Sequence, residues 1–148
     1  MPYLIHLPDG FLITDDAARL NLDLIHRYLS EESYWARGRA RALVERSIAH
    51  SLPLGAYAPS GEQVGFAMVV GDRTVFALLS NLFVLPAWRG RKLGEALVRA
   101  ALEHPELATV TRWALNTDDA HGLYAKFGFQ PTPPSPAAME LRREERMR

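Results

Sequence analysis

The chain has 148 residues, with 17 basic and 17 acidic side chains and a formal net charge of zero. Hydrophobic residues make up 48% and charged residues 23%, the balance of a folded globular chain rather than a disordered or fibrous one. That length carries one well-formed core; the neutral total argues against a nucleic-acid or anionic-membrane partner, and the lack of cysteine excludes disulfides, thiolate metal sites and a cysteine nucleophile.

The N-terminal residues 1–9 lack a basic n-region and a long apolar h-region. The longest uncharged stretch, residues 74–88, is interrupted by Ser80, Asn81 and Pro86 and falls short of the ~18 apolar residues of a membrane helix. The expectation is one cytoplasmic domain spanning residues 1–148, without a membrane segment or a metal site.

Residues 11–14 read as a short strand. Apolar residues at 20, 24 and 28, and again at 22, 25 and 29, predict a helix over residues 20–29 with a broad buried face. Ser30-Glu31-Glu32-Ser33-Tyr34-Trp35 follows as a loop, polar but carrying two large aromatics. Ala40, Leu43, Val44 and Ile48 place a second helix over residues 39–51, ending before Pro53. From Leu54 the period changes to that of a meander, with strands at 54–58, 63–70 and 75–85 joined by Pro59-Ser60-Gly61 and Gly71-Asp72. The last of these is so continuously apolar that it should lie centrally in a sheet. Leu93, Ala96, Leu97, Ala100 and Ala101 then mark an amphipathic helix within residues 90–102. A strand at 112–115 and a helix from Asp118 or Asp119 to about Phe127 follow, with Gly128 at the helix exit. Four prolines between 131 and 136 predict an extended connector, and residues 137–141 a last strand before a charged tail. The order describes a mixed α/β domain.

The informative junction runs from Leu82 to Leu97. A buried strand enters a short basic loop, Arg89-Gly90-Arg91-Lys92, which opens the amphipathic helix at Leu93-Gly94-Glu95. Unpaired N–H groups and the positive end of the helix dipole make such a junction a phosphate site, and Gly90 lets a ligand approach the backbone. The plain alternative is a solvated basic loop. Lys92 is one of only two lysines, beside 15 arginines.

This junction resembles the GNAT superfamily of acyl-CoA N-acyltransferases, whose pyrophosphate signature sits in a Val-x-Pro-x-x-Arg-Gly-x-Gly-x-Gly pattern. Val84, Pro86, Arg89, Gly90 and Gly94 match, while Lys92 stands in place of the middle glycine. A second segment, residues 117–129, resembles the family's Ala-x-x-Leu-Tyr-x-x-x-Gly-Phe helix at Ala120, Leu123, Tyr124, Gly128 and Phe129. The resemblance implies the GNAT fold: a twisted, mixed but mostly antiparallel sheet of about six or seven strands with about four helices, splayed between its fourth and fifth strands. On the order above those are the strands at 75–85 and 112–115.

The resemblance further implies acetyl-CoA as co-substrate and an amine attacking its thioester directly, without an acyl-enzyme. Main-chain groups of Leu82, Phe83 and Val84 would face the pantetheine, and residues 89–95 the pyrophosphate. Thr117 stands where many members have a cofactor-contacting Asn, and Tyr124 matches the general acid that protonates the departing thiolate. Many members carry a carboxylate base on the fourth strand, where this chain has Ser80 and Asn81, so the base is unassigned; His121 is a candidate. Glu31, Glu32, Tyr34 and Trp35 lie where the family builds its acceptor pocket. The implied activity is N-acetylation of an amine, foremost of a small molecule, by a monomer or homodimer. The alternative is a non-catalytic module of the same fold that binds acyl-CoA.

Overall fold

The computed structural model describes residues 1–145. Its sheet has six strands in chain order: β1 (Leu4–His6), β2 (Leu12–Thr14), β3 (Leu52–Tyr57), β4 (Gln63–Gly71), β5 (Phe76–Val84) and β6 (Arg112–Ala114). All neighbours are antiparallel except β5 and β6, which run parallel. Between β2 and β3 lie α1 (Leu22–Arg27) and α2 (Arg41–Ala49); α3 (Leu93–Leu102) connects β5 to β6, and α4 (His121–Ala125) follows β6.

Side-chain alternation gives the sheet two apolar faces. One packs Ile13, Leu54, Ala67 and Leu79 against Leu97, Val98 and Ala101 of α3. The other packs Phe66, Met68 and Phe83 against Ile25 of α1, Leu29 just after it, and Val44 and Ile48 of α2. α1 begins at Asn21, whose side chain accepts the Leu24 N–H at 3.1 Å, and it unwinds into a π turn over Tyr28–Glu32.

The expected fold class holds, and the strand roster changes at both ends. The expected strand at 137–141 is absent: this segment is coil, with Met139 97% and Leu141 77% exposed, beyond prolines that cannot donate to a ladder. Its place in the count is taken by β1, too short to show a period. β1 is held by the register Ile5↔Ile13 and by the Tyr3 N–H, which donates to Asp15 Oδ1 at 2.8 Å. The helix expected from Asp118 to Phe127 shrinks to α4, because neither aspartate caps it; Thr117 Oγ1 accepts the Ala120 N–H instead, at 3.0 Å. Gly128 ends that segment with φ 92°, a left-handed exit that glycine makes without strain.

Candidate active site

β5 lies beside the sheet edge rather than centrally. It pairs with β6 only through Phe76↔Arg112, Ala77↔Trp113 and Leu78↔Ala114, then runs on to Val84 with β4 as its sole neighbour. The register with β4 slips by one residue between Ser80 and Phe83, and Asn81 at this bulge takes φ 53°. The slip exchanges the faces: Ala77 and Leu79 precede it on the α3 side, and Leu82 and Val84 follow on that same side. The Leu85 N–H donates to the Val64 carbonyl at 2.9 Å, so along the ladder Val84 turns its main-chain groups to the open edge. Phe83, opposite Phe66, spends its main chain on β4, and its ring stacks on Tyr28 with centroids 4.0 Å apart.

Beyond the open edge comes the start of α3. Arg89 folds back, donating from Nε to the Val84 carbonyl at 3.0 Å and from Nη2 to the Tyr28 hydroxyl at 2.9 Å. Arg91 lies over the rings of Trp88 and Phe11, 5.3 and 5.9 Å from their centroids. Gly90 has φ 82°, and Lys92, the residue in place of the family glycine, has φ 62° and ψ 22°. Lys92 takes this left-handed geometry without being glycine, at a cost of roughly 1–2 kcal/mol for a side chain with a Cβ. No side chain caps α3, whose first amides are left for solvent or a ligand. A methyl on Gly94 would meet only Leu123 Cδ2, at an ordinary 3.7 Å, and one on Gly90 would meet nothing within 4 Å. Packing thus accounts for neither glycine; the left-handed φ accounts for Gly90, and Gly94 leaves a half-buried first turn without a side chain. Leu93 is core, and Glu95 pairs with Lys126 at 2.5 Å, which holds its carboxyl below the usual range and ties the two motif helices together.

The split opens into a cavity of about 500 Å³. Residues 78–82 of β5 form one side, residues 116–120 with Tyr124 a second, and Tyr34 and Trp35 a third, with Arg142 from the C-terminal coil at the margin. Tyr34 and Trp35 meet edge to face, centroids 5.0 Å apart. The Tyr34 hydroxyl accepts the Asp118 N–H at 2.9 Å, and Trp35 Nε1 donates to Asn81 Oδ1 at 2.8 Å. Burial first, then the neighbouring Tyr34 phenol and Asp119 carboxylate, raise the Tyr124 phenol above its ordinary value, so it stays protonated at neutral pH.

The structure thus gathers Leu82, Thr117, Tyr124, Tyr34 and Trp35 around one cavity and places residues 89–95 at the head of α3. Glu31, Glu32 and His121 are exposed and outside the cavity lining. Asn116, Asp118, Asp119 and Arg142 line it unannounced. The paired aspartates carry the sequence signal of helix caps, and Arg142 arrives from the charged tail past a strand that does not form.

Among the described residues, Asp15, His104 and Glu106 offer metal-ligating atoms within 4.8 Å of one another. Both nitrogens of the buried His104 ring are already engaged. Nδ1 accepts the Glu106 N–H at 3.1 Å, leaving Nε2–H to donate to Asp15 Oδ2 at 2.7 Å. The group clasps the end of α3 to the residue after β2. No helix among the described residues is long and apolar enough to cross a membrane.

Solved structures of GNAT-family proteins share this fold. A GNAT-family protein from Xanthomonas campestris superposes with a TM-score of 0.84 at 42% identity, over 96% of this chain and 94% of its own. A GNAT-family acetyltransferase from Elizabethkingia anophelis, crystallised with acetyl-CoA bound, shares the fold at a TM-score of 0.64 and 16% identity, over 84% of this chain and 79% of its own. The chain belongs to the GNAT family: the acetyltransferase (GNAT) domain matches residues 53–131, more than half of it. A Bacillus subtilis protein provisionally named a [ribosomal protein bS18]-alanine N-acetyltransferase is 33% identical over 93 residues, 60% of this chain and 59% of that protein.

Proposed function

We propose that this GNAT-family protein transfers the acetyl group of acetyl-CoA to the amine of a small molecule. The observation that carries the reading is continuity: the free edge of β5 leads from the uncapped, glycine-bearing start of α3 to a cavity walled by the protonated Tyr124. The residues present fit the co-substrate. Backbone bared at Gly90, with Lys92 beside it and Gly94 in the first turn of α3, suits a pyrophosphate, and the Val84 N–H on the open edge, with Leu82 beside it on the cavity wall, suits a pantetheine amide. Acetyl-CoA supplies an activated acetyl thioester whose C–S bond breaks as the C–N bond to the amine forms.

The chain's own groups perform the remaining work. The β5 edge orients the acyl group with fixed main-chain dipoles, which lose no reorganisation energy as charge develops. Tyr124 gives its phenolic proton to the departing sulfur. The amine must arrive neutral. Ser80 and Asn81 cannot take its proton at neutral pH, so water in the half-polar cavity, beside Asp118 and Asp119, carries it away.

A small acceptor is favoured because Tyr34 and Trp35 bond to opposite lips of the split and close that end of the cavity. The Bacillus protein's name favours a second reading, a protein N-terminus as acceptor. Calorimetric titration with acetyl-CoA, followed by thiol release with small alkylamines and with a peptide bearing N-terminal alanine, separates the readings. Micromolar binding with release driven by small amines is expected. Release with the peptide alone supports the second reading, binding without release supports a non-catalytic module, and no binding at about 100 µM contradicts all three.

A further inference from the structure

Two hydrogen bonds hold the loop after α1 across the split, and neither uses a residue that matches the family motifs. Trp35 Nε1 donates to Asn81 Oδ1 at 2.8 Å on the β5 lip, and the Tyr34 hydroxyl accepts the Asp118 N–H at 2.9 Å on the β6–α4 lip. Asn81 is 9% exposed and left-handed at φ 53°, a conformation that asparagine tolerates better than most residues. Its amide nitrogen points at Met68 Sδ, 3.7 Å away, leaving the carbonyl oxygen aimed at the indole. The bulge therefore does two things at once: it re-registers β5 and turns one side chain to meet the loop. Tyr34 and Trp35 remain 47% and 38% exposed, so their rings are fixed by these bonds and by each other rather than by core packing.

We propose that Tyr34 and Trp35 form a strap latched across the acceptor mouth, and that Asn81 is the positioning residue that sets it, so that the Trp35–Asn81 bond limits the size of the amine admitted. The assignment rests on the acetyl-transfer reading above and deepens it. A small amine is held between the strap and β5, and a bulkier amine, such as a peptide N-terminus, requires the strap to lift. Asn81 acts through Trp35 and touches no reacting atom.

Two substitutions isolate the latch from the fold. Asn81→Gly keeps the left-handed bulge at no steric cost and deletes the acceptor, whereas Trp35→Phe keeps a ring and deletes the donor. Each should raise KM for the best small amine by roughly fivefold or more, the scale of one lost hydrogen bond, with kcat and acetyl-CoA affinity within about twofold. The double variant should be no worse than either single, and the preference for the small amine over an alanine-terminated peptide should fall in all three. Unchanged KM in both singles, or losses that add in the double, would overturn the proposal. A second readout needs no activity: exchange of the Trp35 indole N–H, followed by NMR, should be about tenfold slower in the wild type than in Asn81→Gly. Equal rates contradict the latch. A wild type that releases no thiol with any amine overturns the transferase reading instead, and the exchange measurement still decides the latch.

Discussion

At the α3 end of the cleft the open polar groups belong to the main chain: the free edge of β5, the exposed backbone at Gly90, and the uncapped amides of the first helical turn. At the Tyr34 end they are side chains, brought together from the loop after α1, the β5 bulge, the β6–α4 loop and the C-terminal coil. A main-chain site depends on dihedral angles and open space, so it survives a change of residue that preserves them. Lys92 has such a dihedral, left-handed at φ 62° where the family pattern has glycine. A side-chain site has no such tolerance, since each ring or carboxylate is the contact itself.

Four substitutions break or sharpen this contrast. The largest effect is expected from Tyr124→Phe, which should leave acetyl-CoA affinity intact and lower turnover by about 10²–10⁴-fold, read by thiol release. The raised phenol pKa fixes the pH signature. The group is protonated through neutrality and loses its proton only above the ordinary tyrosine value of about 10, so the wild-type rate should decline only there and the variant should lack that decline. Next comes Gly94→Ala. The fold accepts the methyl, and helix propensity improves by up to about 1 kcal/mol, yet acetyl-CoA affinity should fall by roughly tenfold through lost close approach, measured by calorimetry.

Lys92→Gly should move two quantities in opposite directions. Relief of the left-handed strain raises stability by about 1 kcal/mol in denaturant titration, while loss of the ammonium weakens acetyl-CoA binding a few-fold. The smallest effect lies away from both ends. The Tyr57 hydroxyl is buried with no hydrogen-bond partner, and burial pushes its pKa up to about 12. Tyr57→Phe should stabilise the fold by about 1 kcal/mol with activity unchanged. Because the folded pKa lies above the unfolded one, stability linked to this phenol is complete below about pH 10 and is lost as pH rises toward 12. The variant should lose less stability than the wild type over that window.

The same contrast explains what was legible in the sequence. The α3 end could be read because glycine, proline and a helix start carry backbone constraints at fixed spacing, and both motifs landed on the expected elements. β5 could be found but not its alternation. The bulge at Asn81 changes the faces in mid-strand, so inward residues at odd and then even positions merge into one apolar run that imitates a fully covered strand. β1 and the missing strand at 137–141 were illegible for a related reason, since three-residue pairing depends on its partner rather than on any local period. The Tyr34 end was legible only in part: Tyr34 and Trp35 were in view, but Asn81, Asp118 and Arg142 meet them only in three dimensions. Glu31 and Glu32, adjacent to Tyr34 in sequence, point away into solvent.

The central claim, that the split beside β5 is a site of acetyl transfer, is tested most directly by free-thiol release from acetyl-CoA in the presence of a small-amine panel. Amine-dependent release by the wild type, reduced about a hundredfold or more in Tyr124→Phe, is the predicted result. Release that is equal in the two proteins, or that ignores the amine, would contradict it.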